Sequence, residues 1–287
     1  MNFYGTRQMP ELPEVEVTRL GLLPHLPGQT IIQAIFRTAR LRHALPLELA
    51  ERLGGTRIDT LQRRGKYLIF GCSCPDSNTS ERGWLIVHLG MTGSLRLVPR
   101  GTPAQKHDHV DLVFAQTCLR LRDPRRFGTV LWYEGANIEE HPLIAVLGIE
   151  PLSADFNGDW LYDQTRKRAT PIKPLLMDSH FVVGIGNIYA AESLFRAGVS
   201  PLRAANRISR QRYRVLAEAI RATLASSIAA GGSSVRDYVH SDGGAGSFQL
   251  SCTVYGRQGL PCPTCGAPVV SMRQGGRASF YCRHCQK

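Results

Sequence analysis

The sequence predicts an α+β fold: an N-terminal β-sandwich with flanking helices, a helical region after it, and a small cysteine-rich hairpin at the C-terminus. Three observations carry this. Apolar residues alternate with period two in several short runs between Gln29 and Tyr133. Beyond Pro151 the period becomes that of a helix. Residues 249–287 hold two Cys-x-x-Cys pairs in a polar background. Short strands broken by turns build sandwiches or barrels, and a change of period along the chain marks a second domain.

Pro13 to Leu23 reads as one helix, with Pro13 in its first turn, where a missing N–H costs nothing, and Pro24 beyond its end. Ile32-Ala34-Phe36, Leu85-Val87-Leu89 and Val110-Leu112-Phe114 read as strands with one buried face, and Arg100–Pro103 as a turn. Residues 71–83 read as a polar loop between two strands. Cys72 and Cys74 in it are either metal ligands or incidental thiols, the second being the simpler reading. Residues 134–151 read as the inter-domain connection. Gly184-Ile185-Gly186 opens a helix from Asn187 to Ala197 that Gly198 ends. Backbone N–H groups at such a start suit an anion, although a plain loop-to-helix turn explains the glycines equally well. Ser209 caps a further helix with Tyr213, Leu216, Ala217, Ile220, Leu224 and Ile228 on one face, and Gly231-Gly232 stop it.

Of 287 residues, 43% are hydrophobic, which excludes wholesale disorder. No apolar run reaches the ~18 residues that span a bilayer, so a membrane role is not expected. Met1 to Gln8 lack the apolar core of a signal peptide, which points to a reducing cytoplasmic location where cysteines serve as thiols or metal ligands. Thirty-five Lys and Arg against 23 Asp and Glu leave a charge of +12. That surplus points to a polyanionic partner, nucleic acid first.

Cys262-Pro-Thr-Cys265 and Cys282-Arg-His-Cys285 are separated by 16 residues, room for a β-hairpin. Four thiolates in this arrangement suit one tetrahedral, structural zinc ion, which supplies the folding energy that so small a segment lacks. His284 competes, but four thiolates already close the site. Between the pairs, Gln274-Gly275-Gly276-Arg277 forms a tight turn that presents Arg277 at its tip, either to solvent or to a phosphate.

Met9-Pro10-Glu11-Leu12-Pro13-Glu14-Val15-Glu16 is an acidic, proline-spaced start. It is followed by Gln62-Arg-Arg-Gly-Lys-Tyr67, His88-Leu-Gly-Met-Thr-Gly93, Lys106-His-Asp-His-Val-Asp111 and Asp123-Pro-Arg-Arg-Phe-Gly128. Ile172-Lys-Pro-Leu-Leu-Met-Asp178, Gly184–Ala190, Ser241-Asp-Gly243 and the cysteine hairpin ending Cys285-Gln-Lys287 complete the set. Together these resemble the bacterial formamidopyrimidine-DNA glycosylases from Met9 to the C-terminus. The resemblance implies a helix-two-turn-helix in the helical domain and a bifunctional glycosylase and abasic-site lyase. Its partner is double-stranded DNA carrying oxidised purines (8-oxoguanine, formamidopyrimidines) or abasic sites. Such a protein acts as a monomer, needs one structural zinc and takes no redox cofactor.

By that resemblance Pro10 is the nucleophile and Glu11 the general acid and base beside it, with Glu14 structural at the helix start. Lys66, following two arginines on a strand, assists the first elimination, and Arg277 the second. His107, Arg125, Arg168, Lys173 and Asn187 fall on DNA contacts. Met91, Arg125 and Phe127 fill the void left by a flipped base; taken alone, Met91 and Phe127 would read as core. The loop Ser241–Phe248 either closes over that base or is a linker. The implied division is a catalytic sandwich at 9–133, the connection at 134–151, a helical DNA-binding domain at 152–248 and the zinc finger at 249–287. Residues 1–8 precede the family's start and are expected to be absent from the active protein, because an internal Pro10 is an amide. If it stays internal, the alternative is a non-catalytic, zinc-dependent protein that binds damaged DNA and is never trapped on it. Two further readings remain: the related endonuclease for oxidised pyrimidines, which usually opens Pro-Glu-Gly-Pro-Glu, and an RNA-binding zinc ribbon, which leaves the N-terminal motif unexplained.

Overall fold

The computed structural model describes residues 9–74, 82–232 and 252–287. The chain divides between Ala145 and Val146 into two compact units. The expectations for Met1–Gln8 and for Ser241–Phe248 lie outside the described residues.

In the first unit, helix α1 (Leu12–Leu22) precedes two four-stranded antiparallel sheets. One sheet runs in the order β1 (Gln33–Phe36), β6 (Asp108–Val113), β7 (Thr117–Arg122), β5 (Ser94–Pro99). The other is β2 (Arg57–Arg64), β3 (Tyr67–Ser73), β4 (Arg82–His88), β8 (Thr129–Tyr133). Leu68, Phe70 and Leu85 of the second sheet share one buried cluster with Leu112, Leu119 and Leu121 of the first, which makes the pair a sandwich. Val15 and Leu22 of α1 enter the same cluster.

Four local expectations need correction. Ile32 is 49% exposed and Ile31 takes the buried place, because the strand begins only at Gln33 and the Ile31 amide is bonded to Thr56 O. Helix α2 (Leu47–Leu53) interrupts the strand-like stretch; its two core residues, Leu49 and Leu53, are too few to display a helical period. Both ends of the loop expected at 71–83 are strand, since β3 runs through Ser73 and β4 starts at Arg82, and residues 75–81 lie outside the described residues. Cys72 is therefore a buried strand residue, its thiol pushed up to about 12 by burial. Lys66 is not on a strand: Gly65 and Lys66 form the two-residue turn joining β2 to β3, with Gly65 at φ +57°.

The alternation also understates burial, because β4 and β6 are covered on both faces. Ile86 is inaccessible, and Asp111 is buried with Arg120, which donates from Nε and Nη2 at 2.8 Å each. Arg37 Nη2 adds a third bond at 2.6 Å. Past β8, the stretch read as a connection holds a 3-10 turn at Ile138–Glu140 and the short helix α3 (Pro142–Ala145).

The second unit contains α4 (Gly158–Thr165), α5 (Ile172–Leu176), α6 (Asn187–Arg196) and α7 (Arg210–Ala229). Tyr189, Tyr213, Leu216 and Ile220 form the centre of its core. Ser209 Oγ accepts from Arg212 N at 3.4 Å and caps α7, while Gly231 and Gly232 end it at φ +79° and +83°. The segment from Gly198 to Ser209 turns the chain between α6 and α7, giving a helix-two-turn-helix. Strands β9 (Val270–Gln274) and β10 (Arg277–Tyr281) form the C-terminal hairpin, whose Gly275 and Gly276 sit at φ +53° and +77°. Two consecutive positive φ values define the two-residue turn that follows strand twist. Ala191 of α6 packs with Val254, Val269 and Cys282, and Lys287 N bonds to Gly198 O, so the hairpin is seated on the helices. Among the described residues no helix is long and apolar enough to cross a membrane.

Candidate nucleic-acid interface and metal centre

Pro10 is buried immediately before α1, and Glu11, 3% exposed, is the N-cap of that helix. A capping box closes the helix start: the Glu11 carboxylate accepts from the Glu14 N–H, and Glu11 N donates back to Glu14 Oε2 at 2.9 Å. Glu14 thus has the structural place expected for it.

On the turn between β2 and β3, Lys66 acts electrostatically on His88, the last residue of β4. Burial, then Lys66 and Arg42, push the His88 imidazole down to about 4, so it is neutral near pH 7. Its Nδ1 accepts from Gly90 N at 3.0 Å, which leaves the proton on Nε2.

Three loops carrying predicted site residues meet at one residue whose role sequence reading missed: two through its carboxylate and one through its backbone N–H. Asp123 is fully buried. Its Oδ1 accepts from Thr92 Oγ1 at 2.6 Å and from Arg125 N at 3.3 Å, and its Oδ2 accepts from Gly128 N at 2.7 Å. Asp123 N donates to His107 O at 2.9 Å. The loop carrying Met91 is therefore joined to the one carrying Arg125 and Phe127, with the His107 backbone tied to the same residue. Phe127 is 43% exposed, and the Arg125 guanidinium lies 4.7 Å from its ring centroid. A large apolar ring held open to solvent under a cation is not a core residue. Gly90 is required for the loops to meet: its φ is +64°, and a Cβ there would fall 2.4 Å from the Phe127 carbonyl carbon. Among the described residues only His107 (φ 77°) and Arg126 (φ 56°) are non-glycines in the left-handed region. Strain of this kind persists only where surrounding bonds impose it, here at one predicted DNA contact, His107, and beside another, Arg125.

In the second unit, Lys173 is 1% exposed, and its ammonium donates to Asn187 Oδ1 at 2.6 Å, Ser279 Oγ at 2.7 Å and Ala278 O at 3.0 Å. These partners come from the first residue of α6 and from β10. Gly184, at φ +81°, and Gly186, the N-cap, make the turn that delivers Asn187. Arg277, exposed at the end of the hairpin turn, is next to Ala278 in sequence and so belongs to the same edge. Glu192 was also missed: its carboxylate accepts from Val254 N at 3.0 Å and Tyr255 N at 2.8 Å, with Thr253 as a further partner, and so anchors the chain entering the zinc module. Arg168, exposed after α4, stands apart from these and packs on the Phe181 ring at 5.1 Å.

The sulfurs of Cys262, Cys265, Cys282 and Cys285 lie within 4.8 Å of one another, and among the described residues this is the one group of three or more potential metal ligands. The Cys262–Cys285 and Cys265–Cys282 sulfur distances are 3.8 and 3.5 Å. A tetrahedron with ~2.3 Å Zn–S bonds has edges of about 3.8 Å, close to these two distances, so the donor set suits one zinc ion.

Comparison with known proteins agrees along the whole described chain. Residues 9–130 match the family model for the formamidopyrimidine-DNA glycosylase N-terminal domain. Residues 147–239 match the H2TH domain of the same glycosylase, and residues 259–287 the zinc finger found in FPG and IleRS. The formamidopyrimidine-DNA glycosylase of Dechloromonas aromatica is 58% identical over 280 residues, covering 97% of this chain and all of that one. That of Ralstonia nicotianae is 53% identical over 289 residues, with the same coverage. A crystal structure of Lactococcus lactis Fpg (MutM) with DNA containing N7-benzyl-Fapy-dG is 34% identical, with a TM-score of 0.87 over 97% of this chain and all of that one. A MutM complex with DNA containing carbocyclic 8-oxo-G gives 0.86 at 34% identity, with the same coverage. With its sandwich, its helix-two-turn-helix and its four-cysteine zinc site all in the family's order, the chain belongs to the formamidopyrimidine-DNA glycosylase family.

Proposed function

We propose that this protein excises oxidised purines, 8-oxoguanine and formamidopyrimidines, from duplex DNA and then cleaves the abasic site by β- and δ-elimination. The observation that carries the reading is the joined tip of Met91, Arg125 and Phe127. Extruding a base costs a few kcal/mol of stacking. An exposed ring and a thioether can occupy the vacated step, while the guanidinium addresses the orphaned partner base.

In this reading the Pro10 nitrogen attacks C1′ of the extruded nucleotide and the glycosidic bond breaks. For this the nitrogen has to be an amine, so the active form starts at Pro10. An α-amino group of pKa ~7.7–8.0 is roughly 10–20% neutral at pH 7, enough for a nucleophile. Because proline is a secondary amine, the adduct is an iminium that keeps its positive charge and withdraws electrons from C2′. Loss of the C2′ proton then expels the 3′-phosphate, and a second elimination expels the 5′-phosphate. Glu11 serves ring opening and departure of the base as general acid and base. Lys66 assists the first elimination and Arg277 the second. His107, Arg125, Arg168 and Asn187 contact DNA, and Lys173 joins them from its buried place through Asn187. Zinc is structural: Cys262, Cys265, Cys282 and Cys285 hold the hairpin that carries Arg277. We assign the catalytic domain to 9–133, the connection to 134–151, the helical domain to 152–248 and the zinc finger to 249–287. The protein acts as a cytoplasmic monomer on chromosomal DNA.

The deciding experiment is borohydride trapping on duplex DNA containing 8-oxoguanine, with mass mapping of the cross-linked peptide. Attachment at an N-terminal Pro10 is expected. A protein that starts at Pro10, binds the duplex and is never trapped would be a damage-binding protein and not a lyase.

A further inference from the structure

We propose that Arg63, itself held by Glu16, is a positioning residue that fastens the turn carrying Lys66 to the helix whose start carries Pro10 and Glu11. The inference rests on the lyase reading of those three residues.

Glu16 lies on α1 beyond the capping box that fixes Glu11. Its Oε2 accepts from Arg63 Nε at 2.7 Å, and its Oε1 accepts from Arg19 Nη2 at 2.6 Å. Arg63, near the end of β2, donates from Nη1 to Gly65 O at 2.9 Å. Gly65 is the first residue of the turn and directly precedes Lys66. One guanidinium therefore bridges a helix and a hairpin turn distant in sequence, each of which carries part of the proposed machinery.

Stability alone is a poor explanation for this bridge. The two side chains are 10% and 15% exposed. For a shielded ion pair, the cost of desolvation largely cancels the attraction, and apolar residues would join helix and strand as firmly. A guanidinium adds direction, since its rigid fork aims one N–H at the carboxylate and another at the Gly65 carbonyl. Lys66 hangs on a flexible four-carbon stem, so the placement of its backbone decides where the ammonium reaches. Displacement of a catalytic group by ~1 Å can cost about a hundredfold in rate. Burial pushes the Glu16 carboxyl up, but hydrogen bonds from Arg19 and Arg63 outweigh it and hold it below its ordinary value, so the anchor stays charged.

The test uses a duplex with a preformed abasic site, which bypasses base removal, and the zinc-loaded protein translated from Met9. Two steps are read separately in a single turnover: the borohydride-trapped iminium, which reports Pro10, and the β-elimination product, which reports Lys66. Arg63→Met is expected to slow β-elimination at least tenfold while the trapped amplitude stays within twofold. Arg63→Lys should fall between Arg63→Met and the parent, and Glu16→Gln should slow the same step severalfold. Elimination by Arg63→Met at the parental rate overturns the inference, and so does an equal loss in both steps, which is what general loosening of the fold produces. Should Arg63→Met fail to fold, the isosteric Glu16→Gln decides by the same split. A parent that is never trapped overturns the lyase reading and this inference together. A parent that traps and eliminates leaves the lyase reading standing whatever the variants do.

Discussion

Thr92 gives its hydroxyl to Asp123 Oδ1 at 2.6 Å and accepts from Arg125 N at 3.2 Å, which joins the loop that carries Met91 to the loop that carries Arg125 and Phe127. Removing the hydroxyl with the near-isosteric Thr92→Val leaves a buried carboxylate oxygen with one partner fewer. The loss should be about 1–2 kcal/mol of stability, read by urea denaturation. Excision of 8-oxoguanine should fall further than cleavage of a preformed abasic site, because only the intact lesion has a base to extrude. Equal losses on the two substrates would count against a role for the joined loops in extrusion.

Phe127 and Arg125 predict the opposite balance. Both side chains are exposed, so Phe127→Ala and Arg125→Ala should each change stability by no more than about 0.5 kcal/mol. Yet each should lower 8-oxoguanine excision tenfold or more, since the few kcal/mol of lost stacking goes uncompensated. A fluorescent base analogue beside the lesion measures the extrusion step directly.

Zinc removal should act beyond the hairpin. Ala278 and Ser279 both accept from the Lys173 ammonium, so unfolding β10 loosens that ammonium and its hold on Asn187. Chelation is expected to abolish duplex binding while the sandwich stays folded, as near-ultraviolet circular dichroism and gel retardation would report together. Restored binding on adding zinc back, without refolding from denaturant, completes the expectation.

His88 makes a pH prediction. Its folded-state pKa, about 4, lies below the ordinary 6.5, because of burial and the charges of Lys66 and Arg42. The unfolded chain therefore takes up the proton first as pH falls. The contribution of His88 is complete above pH 6.5 and is lost between there and pH 4, by up to about 3 kcal/mol. His88→Gln should flatten this part of the stability curve relative to the parent in urea titrations at pH 7 and pH 4.5. An unchanged slope would mean that His88 takes up its proton at the same pH in the folded and unfolded chains.

What could be read in advance was local. The cysteine spacing, the Ser209 cap and the Gly275-Gly276 turn each need only a few consecutive residues to act, and each appears where the pattern places it. Lys66 was misplaced because a run of basic residues reads as strand, although Gly65 carried the signal for a turn. Asp123, Glu192 and Arg63 could not be found this way. A carboxylate at a strand end looks the same in sequence whether it is solvated or buried. Asp123 meets Thr92 at a separation of 31 residues, and Arg63 meets Glu16 at 47. Partners that only the folded chain brings together leave no short-range pattern.

Not all of the 35 Lys and Arg side chains are on offer to DNA. Arg120 is held inside the sandwich by Asp111, and Lys173 is sealed beneath the hairpin. Neither can displace a condensed cation from a phosphate. Each phosphate neutralised on a duplex contributes about 0.9 to the fall of log affinity against log salt. The slope thus counts only solvent-facing cations such as Arg125, Arg168 and Arg277. A binding isotherm repeated at several ionic strengths becomes a census of those side chains, smaller than the total of Lys and Arg.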